Sequence, residues 1–202
     1  MKLTRNFSLQ ELTKSDTAIR KGIDNEPNAD QIDKLKTLCE KILQPVRDQF
    51  GRVKVTSGFR SPELCVAIGS SLTSQHSKAE AADFEVLGVD NAEVADWVHK
   101  NCETDQLILE FYTPGEPNSG WIHASYVPFQ RRAQYMRAYR EDGKVRYKPI
   151  TGKAVDLVWP LFLKYGLINL DNGLANPVNW FFLFQVKSIL LSFANLTIIF
   201  KS

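Results

Sequence analysis

The chain has 202 residues, of which 44% are hydrophobic and 24% are charged, so it can bury one substantial core and carry a small appendage. The formal net charge is only +2 at pH 7, and we find no block of like charges that would follow a phosphate backbone. We therefore expect no nucleic-acid partner.

The first part of the chain predicts two helices and a strand. Ser8 and Glu11 have the spacing of a capping box, which predicts a short helix beginning near Leu9. Apolar residues that recur every three or four positions predict a longer helix from about 29 to 49, with one buried face. The segment VKVTS alternates and is rich in β-branched residues, which predicts a strand over 53–57.

The middle of the chain predicts two more helices, a polar loop and three strands. Ser61 and Pro62 suit the cap and the first position of a short helix. The segment 69–77 is rich in Gly, Ser and Thr and is typical of a loop. A helix is predicted over 91–101, and the strand patterns are AADFEV, QLILEF and WIHASYV. This order predicts an α+β fold in which a small antiparallel sheet packs with helices.

The character of the sequence changes after about residue 150, which divides the chain into a domain over 1–150 and an apolar tail over 151–202. The stretch 179–200 is long enough to span a bilayer. Lys187, near its middle, would cost about 2.5 to 3.5 kcal/mol on insertion. Membrane contact is therefore the less favoured interpretation of the tail, and the alternatives are a packing helix, an oligomer contact or a segment without a selected role. The oligomeric state stays open.

Two of the three histidines lie beside small residues in loop and strand contexts, and they are the candidate metal ligands. They are His76 and His123, and Asp83 follows His76 by seven positions. Two imidazoles and one carboxylate leave the fourth tetrahedral position open for water, which is the pattern of a catalytic metal site. Zinc suits such a mixed set of nitrogen and oxygen donors. Because a His-x6-Asp spacing alone is a weak signal, the surrounding motifs decide its weight.

Five motifs follow one another along the chain: TSGFRS at 56–61, SxH ending at His76, AxD ending at Asp83, a strand ending at Glu110, and WIHAS. This series resembles the zinc D-Ala-D-Ala carboxypeptidase and L-alanyl-D-glutamate endopeptidase family, which includes phage endolysins. The family shares its fold with hedgehog signalling domains and lysostaphin-like enzymes. The resemblance covers about residues 5–127, including the FSLQEL opening.

The resemblance implies that His76, Asp83 and His123 bind one zinc ion per chain, on the sheet and the adjoining loop. It also implies that Arg60 reaches the scissile carbonyl or the substrate carboxylate, to which a guanidinium can donate paired hydrogen bonds. Ser74 matches a serine that lies near the substrate in the family, although a serine in a polar loop is usually only a turn former.

Glu110 is the candidate general base, because it follows an apolar strand and can point into a cleft across from the metal. The family places its base at positions that vary, sometimes just before the last zinc histidine. The three residues before His123 are glycine, tryptophan and isoleucine, which cannot accept a proton. This directs the role to Glu110, with Glu116 as a weaker substitute in a predicted hairpin loop.

One departure from the family pattern is Ala79, at a position where the family usually has glycine. If the backbone there has a positive φ, alanine costs about 1 kcal/mol. This feature supports an alternative, in which the protein is a catalytically inactive, zinc-stabilised module that binds the cell wall or belongs to a virion. We expect His99 to be solvated, and Glu85 and Asp105 to be ordinary surface charges.

The function that the resemblance implies is zinc-dependent hydrolysis of peptide bonds in bacterial peptidoglycan stem peptides, by a D,D-carboxypeptidase or L,D-endopeptidase reaction. The opening MKLTRNFSLQELTKSD lacks the apolar core of a secretory signal, and the three cysteines cannot all be joined within the chain. We therefore expect the protein to accumulate in the cytoplasm and to act on the wall after release, as in phage lysis, or as a virion component.

Overall fold

The computed structural model describes residues 1–154, which form an α+β fold. Nearly all of the predicted tail, and with it the apolar stretch 179–200, lies outside the described residues. Within residues 1–154, no helix is long and apolar enough to cross a membrane.

Two short helices begin the chain, α1 over Leu9–Thr13 and α2 over Asp16–Lys21. The capping box predicted for α1 is confirmed, because the amide of Glu11 donates to Ser8 Oγ and the amide of Ser8 donates to the Glu11 carboxylate. Leu12 of α1 is fully buried, which ties this short helix to the core.

The longer predicted helix is confirmed as three consecutive segments: α3 over Ala29–Leu38, a π-helical turn over Cys39–Leu43, and α4 over Gln44–Phe50. The amide of Gln44 bonds to the Cys39 carbonyl, five residues back. Pro45 follows directly and has no N–H to continue the ordinary ladder, which accounts for the wider turn at this point. The fully buried face consists of Leu35, Leu38, Cys39, Ile42, Leu43 and Val46.

Six strands and two further helices complete the described fold. They are β1 over Val53–Ser57, α5 over Pro62–Ala67, β2 over Ala81–Val86, α6 over Asn91–Asn101, β3 over Gln106–Glu110, β4 over Trp121–Ser125, β5 over Gln134–Glu141 and β6 over Lys144–Pro149. The sheet order is β1-β2-β4-β3-β5-β6, and every pair is antiparallel except β3 with β5. The α+β prediction is confirmed, and β1 to β4 lie where the patterns placed them.

The hairpin of β5 and β6 was not predicted. Asp142 and Gly143 form its turn, with φ angles of 50° and 73°. Two consecutive positive φ values are those of a type I′ turn, which matches the twist of the strands that it joins. All residues of β6 are exposed, as expected for an edge strand.

The sheet has two different faces. Tyr135 of β5 pairs with Leu107, and its hydroxyl donates a 2.7 Å hydrogen bond to Asp96 of α6, so α6 packs on the face to which Leu107 belongs. On that face the fully buried side chains are Phe84, Leu107, Leu109, Ile122 and Ala124. Because side chains alternate along a strand, the opposite face carries Asp83, Ile108, Glu110 and His123. The polar candidates on the strands therefore share the face that turns away from α6.

Candidate metal centre and active site

His76, Asp83 and His123 come together on this open face. Asp83 on β2 and His123 on β4 are cross-strand partners, and His76 comes from the loop between α5 and β2. Oδ1 of Asp83 lies 2.9 Å from Nδ1 of His123 and 3.2 Å from Nε2 of His76. The two histidine nitrogens are 3.3 Å apart. One ligand atom from each residue thus lies within 4.8 Å of the others, and the cluster could hold a metal ion.

The backbone around His76 fixes which of its ring nitrogens faces the cluster. Nδ1 lies 2.7 Å from the carbonyl oxygen of Gly58. A carbonyl oxygen only accepts, so Nδ1 carries a hydrogen, and in the neutral ring Nε2 has the lone pair. That lone pair faces the Asp83 carboxylate, a repulsive contact unless a proton or a metal ion lies between them. The donor set therefore fits a metal ion, and the Gly58 carbonyl orients the histidine as the outer partners of metal sites do.

Gly58 is held in turn by helix α1. The amide of Phe59 donates a 2.7 Å hydrogen bond to the Leu12 carbonyl. A Cβ atom on Gly58 would lie 2.2 Å from the same carbonyl oxygen, so only glycine permits this close approach. The backbone that orients His76 is thereby fixed against α1.

Asp83 is 7% exposed and carries the negative charge of the cluster. Burial alone would raise the pKa of its carboxyl group. The hydrogen bonds and positive charge of His123 and His76 outweigh burial and hold the pKa well below its usual range. Asp83 is therefore anionic throughout the physiological pH range, as a carboxylate ligand of a metal ion must be.

Arg60 contacts the same carboxylate from the other side. Its Nη2 donates a 2.7 Å hydrogen bond to Asp83 Oδ2, and its Nε donates a 2.8 Å bond to Oγ of Ser57. None of the residues 1–154 pairs with its Nη1 atom. Arg60 also lines the cleft, so the guanidinium positions Asp83 and keeps donors for another group. The resemblance implied contact with the substrate but did not indicate the bond to Asp83.

The loop that carries His76 is tightly turned. Oγ of Ser74 accepts a 3.3 Å hydrogen bond from the His76 amide, so this serine shapes the turn as well as lining the cleft. Ala79 is fully buried and has a φ of 61°. The backbone at Ala79 therefore has the positive φ at which alanine is strained, and this strain costs about 1 kcal/mol relative to glycine.

Asp105 was expected to be an ordinary surface charge, and this expectation is wrong. It is 3% exposed and accepts hydrogen bonds from Arg132, through the backbone amide at 2.7 Å and Nε at 3.0 Å. Gln75, which precedes His76, donates to the same carboxylate at 2.9 Å and accepts from Arg132 Nη2 at 2.9 Å. The Asp105–Arg132–Gln75 cluster thus fastens the His76 loop to the start of β3.

Glu85 is half-buried, and its carboxylate lies 3.8 Å from Nζ of Lys54. His99 is exposed as expected, and its ring stacks on Tyr135 at 4.4 Å.

The metal cluster opens into a cleft of about 440 Å³. Its lining residues are Arg60, Ser70, Ser71, Thr73, Ser74, Gln75, His76, Asp83, Gln106, Ile108, Glu110, Trp121, His123, Arg132 and Tyr147. The set contains the three candidate metal ligands, the two candidate substrate-binding residues and Glu110, the first candidate for general base. Arg132, Trp121 and Tyr147 are additions that the sequence analysis missed. Two of them follow residue 127, where the resemblance ends.

Glu110 lies at the end of β3, opposite Trp121 of β4. Partial burial raises the pKa of its carboxyl group, the negative charge of Asp83 raises it further, and the positive charges of His123 and Arg60 oppose the rise. Glu116 is exposed and is not among the residues that line the cleft. Between these two glutamates, the geometry favours Glu110 as the group that faces a bound substrate.

Comparison with known families gives a match to the family described as Peptidase M15, over residues 5–124. The match covers helices α1 to α6, strands β1 to β3 and nearly all of β4, together with all three residues of the cluster. Comparison with curated proteins gives no significant match. The matched range is more than half of the chain and agrees with the motifs from TSGFRS to WIHAS. The chain therefore belongs to the M15 family of zinc D-Ala-D-Ala carboxypeptidase-like peptidases.

Proposed function

We propose that this protein is a zinc metallopeptidase that hydrolyses peptide bonds in bacterial peptidoglycan stem peptides. The observation that carries the proposal is that the cluster of His76, Asp83 and His123 shares one cleft with the carboxyl group of Glu110. A purely structural metal site needs neither a cleft nor a partly buried carboxylate beside it.

Zinc fits the cluster because two imidazole nitrogens and one carboxylate oxygen are the ligands of many catalytic zinc sites, which keep a fourth position open. We propose one zinc ion per chain. A zinc ion held by these ligands would supply a water molecule whose pKa is lowered toward 7 and would polarise the substrate carbonyl.

Glu110 is the proposed general base. Glu110 lies two residues after Ile108 on β3, and Ile108 is the cross-strand partner of His123. Glu110 and His123 therefore share one face of the sheet, and they are offset by about 7 Å in the direction of the strands. That separation leaves room for a water molecule and a peptide group. The carboxylate takes up a proton as the new C–O bond forms, and returns it to the amine nitrogen as the C–N bond breaks. The raised pKa of Glu110 suits both steps, because it brings proton uptake and release closer to neutral pH.

Arg60 and Ser74 are the proposed substrate-binding residues. Arg60 has five N–H donors, of which one serves Ser57 and one serves Asp83. The remaining donors are available to the oxygen of the scissile carbonyl or to a substrate carboxylate. Ser74 lines the same cleft, with its hydroxyl already accepting from the His76 amide.

The reaction class that we propose is D,D-carboxypeptidase or L,D-endopeptidase cleavage of the stem peptide. The protein would accumulate in the cytoplasm and reach the wall after release, as a phage lysis enzyme does, or would act as a virion component. The proposal includes neither a nucleic-acid partner nor membrane contact of the tail.

A second candidate function is a catalytically inactive, zinc-stabilised module that binds the wall or belongs to a virion. The observation that favours it is the strained backbone of Ala79 in the loop that carries His76. Glu110 and the cleft favour the hydrolase, because a module that only binds has no use for a proton acceptor beside the metal.

Incubation of the zinc-loaded protein with purified peptidoglycan separates the two functions. We expect soluble peptides or D-alanine to be released. The Glu110→Gln variant should release them about a hundredfold to ten-thousandfold more slowly, at unchanged zinc content. Glu116→Gln is the matched control, because it removes a carboxylate from an exposed loop outside the cleft. Zinc-loaded protein that binds peptidoglycan but releases nothing would identify the inactive module.

A further inference from the structure

The outer wall of the cleft comes from a part of the chain that the family match does not reach. The match ends at residue 124, whereas Tyr147 lies on β6 and lines the same cleft as the metal cluster. The hairpin of β5 and β6 extends the sheet beyond β3, so it places this tyrosine beside the proposed catalytic machinery.

The strand register explains how an edge strand reaches the cleft. Four residues in four neighbouring strands form one cross-strand row, because Trp121 pairs with Glu110, Glu110 with Ala138, and Ala138 with Tyr147. Side chains of such partners point to the same face of the sheet. Trp121 and Tyr147 therefore flank Glu110 on the open face, one on each side.

Ala138 is the residue that lets Tyr147 approach. Its side chain is only a methyl group and is 2% exposed, so neighbouring side chains cover it, and its two cross-strand partners are Glu110 and Tyr147. Partial burial raises the pKa of the Tyr147 hydroxyl, and the negative charge of Glu110 raises it further. The phenol thus keeps its proton at neutral pH and remains a hydrogen-bond donor.

Tyr147 is also free to contact another molecule. It is 55% exposed, and none of the residues 1–154 pairs with its hydroxyl. A large aromatic ring with an unused hydroxyl at the mouth of a cleft presents both an apolar surface and a donor to a ligand.

We propose that Tyr147 is a specificity-determining residue that contacts the part of the peptide leaving as the amine. The inference rests on the proposed function, in which Glu110 delivers its proton to that amine. The ring of Tyr147 packs against this segment of the peptide, and its hydroxyl donates a hydrogen bond to a carbonyl or carboxylate oxygen there. The residue sets which peptides bind and leaves the hydrolytic step to the metal cluster and Glu110.

Steady-state kinetics on a soluble synthetic stem peptide tests this inference. We expect Tyr147→Ala to raise KM about 5- to 30-fold with kcat changed less than about threefold, the loss of one aromatic contact and one hydrogen bond. Tyr147→Phe keeps the ring and should raise KM about 2- to 10-fold, the part owed to the hydroxyl. The Phe variant removes only an exposed hydroxyl, so it keeps the test valid if the Ala variant folds poorly.

Val145→Ala is the matched control. Val145 lies two residues before Tyr147 on the same strand and face, is 40% exposed, and does not line the cleft. Its KM should equal that of the parent. If the parent hydrolyses the peptide and both Tyr147 variants keep the KM of the Val145 variant, the inference is wrong while the proposed function stands.

Binding gives a readout that does not depend on turnover. Isothermal titration of the same peptide into the zinc-loaded Glu110→Gln protein should give a dissociation constant that rises when Tyr147→Ala is added. If the parent never hydrolyses peptide but Tyr147→Ala still weakens binding, the hydrolase proposal fails and the contact remains. Equal dissociation constants with and without Tyr147→Ala would overturn the contact itself.

Discussion

Arg60 Nη2 lies 2.7 Å from Oδ2 of Asp83, while Oδ1 of the same carboxylate faces His76 and His123. One carboxylate thus links a guanidinium on one side to the two imidazoles on the other. Arg60 is itself fixed by Ser57, the residue that pairs with Asp83 across β1 and β2. A change at Arg60 should therefore affect the proposed metal site without altering any of its three candidate ligands.

The first prediction concerns the ligands. Asp83→Asn and His123→Ala should each lose most of the bound zinc, because each removes one of the three proposed protein ligands. Glu85→Gln is the control, since Glu85 lies two residues further along β2 and pairs with Lys54 outside the cluster. Elemental analysis of the purified proteins measures the outcome. Full zinc occupancy in both ligand variants would show that the metal lies elsewhere.

The second prediction separates two roles of Arg60. Arg60→Lys keeps the positive charge but cannot bond to Ser57 and Asp83 in the same planar arrangement. We expect zinc affinity to fall about 10- to 100-fold, the usual effect of losing an outer partner of a metal ligand. Competition with a chelator measures this affinity. If zinc affinity stays at the parent value and only KM rises, Arg60 acts on the substrate and its bond to Asp83 contributes little.

The third prediction concerns pH. Glu110 can accept a proton only when ionised, and its pKa is raised above the ordinary value of 4.5. The value of kcat/KM should therefore fall as pH decreases through a pKa above 4.5, in assays at matched zinc occupancy. Full activity maintained below that pH would contradict the assignment.

The charge of Glu110 is also disfavoured by burial, so Glu110→Gln should leave the melting temperature unchanged or slightly higher.

The fourth prediction concerns Asp105. Burial would raise the pKa of this carboxyl group, but hydrogen bonds from Arg132 and Gln75 lower it below 3.8. A lowered folded-state pKa means that the stabilisation is present at neutral pH and is lost as pH falls below 3.8. Asp105→Asn should destabilise the protein by about 1 to 3 kcal/mol at pH 7, and by less in acid.

Urea unfolding at pH 7 and at pH 3 measures this difference. Glu103→Gln is the control, because Glu103 pairs with Arg131 through two hydrogen bonds on the surface, and should change the free energy of unfolding by less than about 1 kcal/mol. A loss for Asp105→Asn that is no larger than for the control would show that the Asp105–Arg132–Gln75 cluster is not stabilising.

Local signals were sufficient for most elements up to β4. The capping box of α1, the periodicity of α3 and α4, and the alternation of β1 each depend on residues close together in sequence. The candidate ligands were found because their motifs lie in order along the chain, although their convergence depends on the pairing of Asp83 with His123.

The remaining features depend on contacts between distant residues. The burial of Asp105 comes from Arg132, 27 positions later, and no local pattern near Asp105 indicates it. Strand β6 is exposed on both faces. Its sequence KVRYKP does alternate between polar and apolar residues, so a strand signal was present but was not used in the prediction. The Asp142–Gly143 pair was a visible turn signal. Tyr147 could not be placed in the cleft until the register of this hairpin was known.

The close approach of Gly58 to Leu12 also bears on how the protein can be shortened. The carbonyl of Gly58 orients His76, and within residues 1–154 the neighbouring Phe59 amide bonds only to the Leu12 carbonyl. Deleting α1 to prepare a smaller catalytic unit would leave the Phe59 amide unpaired. It would also expose Gly58, which directly follows β1 and whose carbonyl bonds to His76. Engineered fusions should therefore join upstream of α1, and a version beginning at α3 is expected to bind metal poorly even with all three ligands intact.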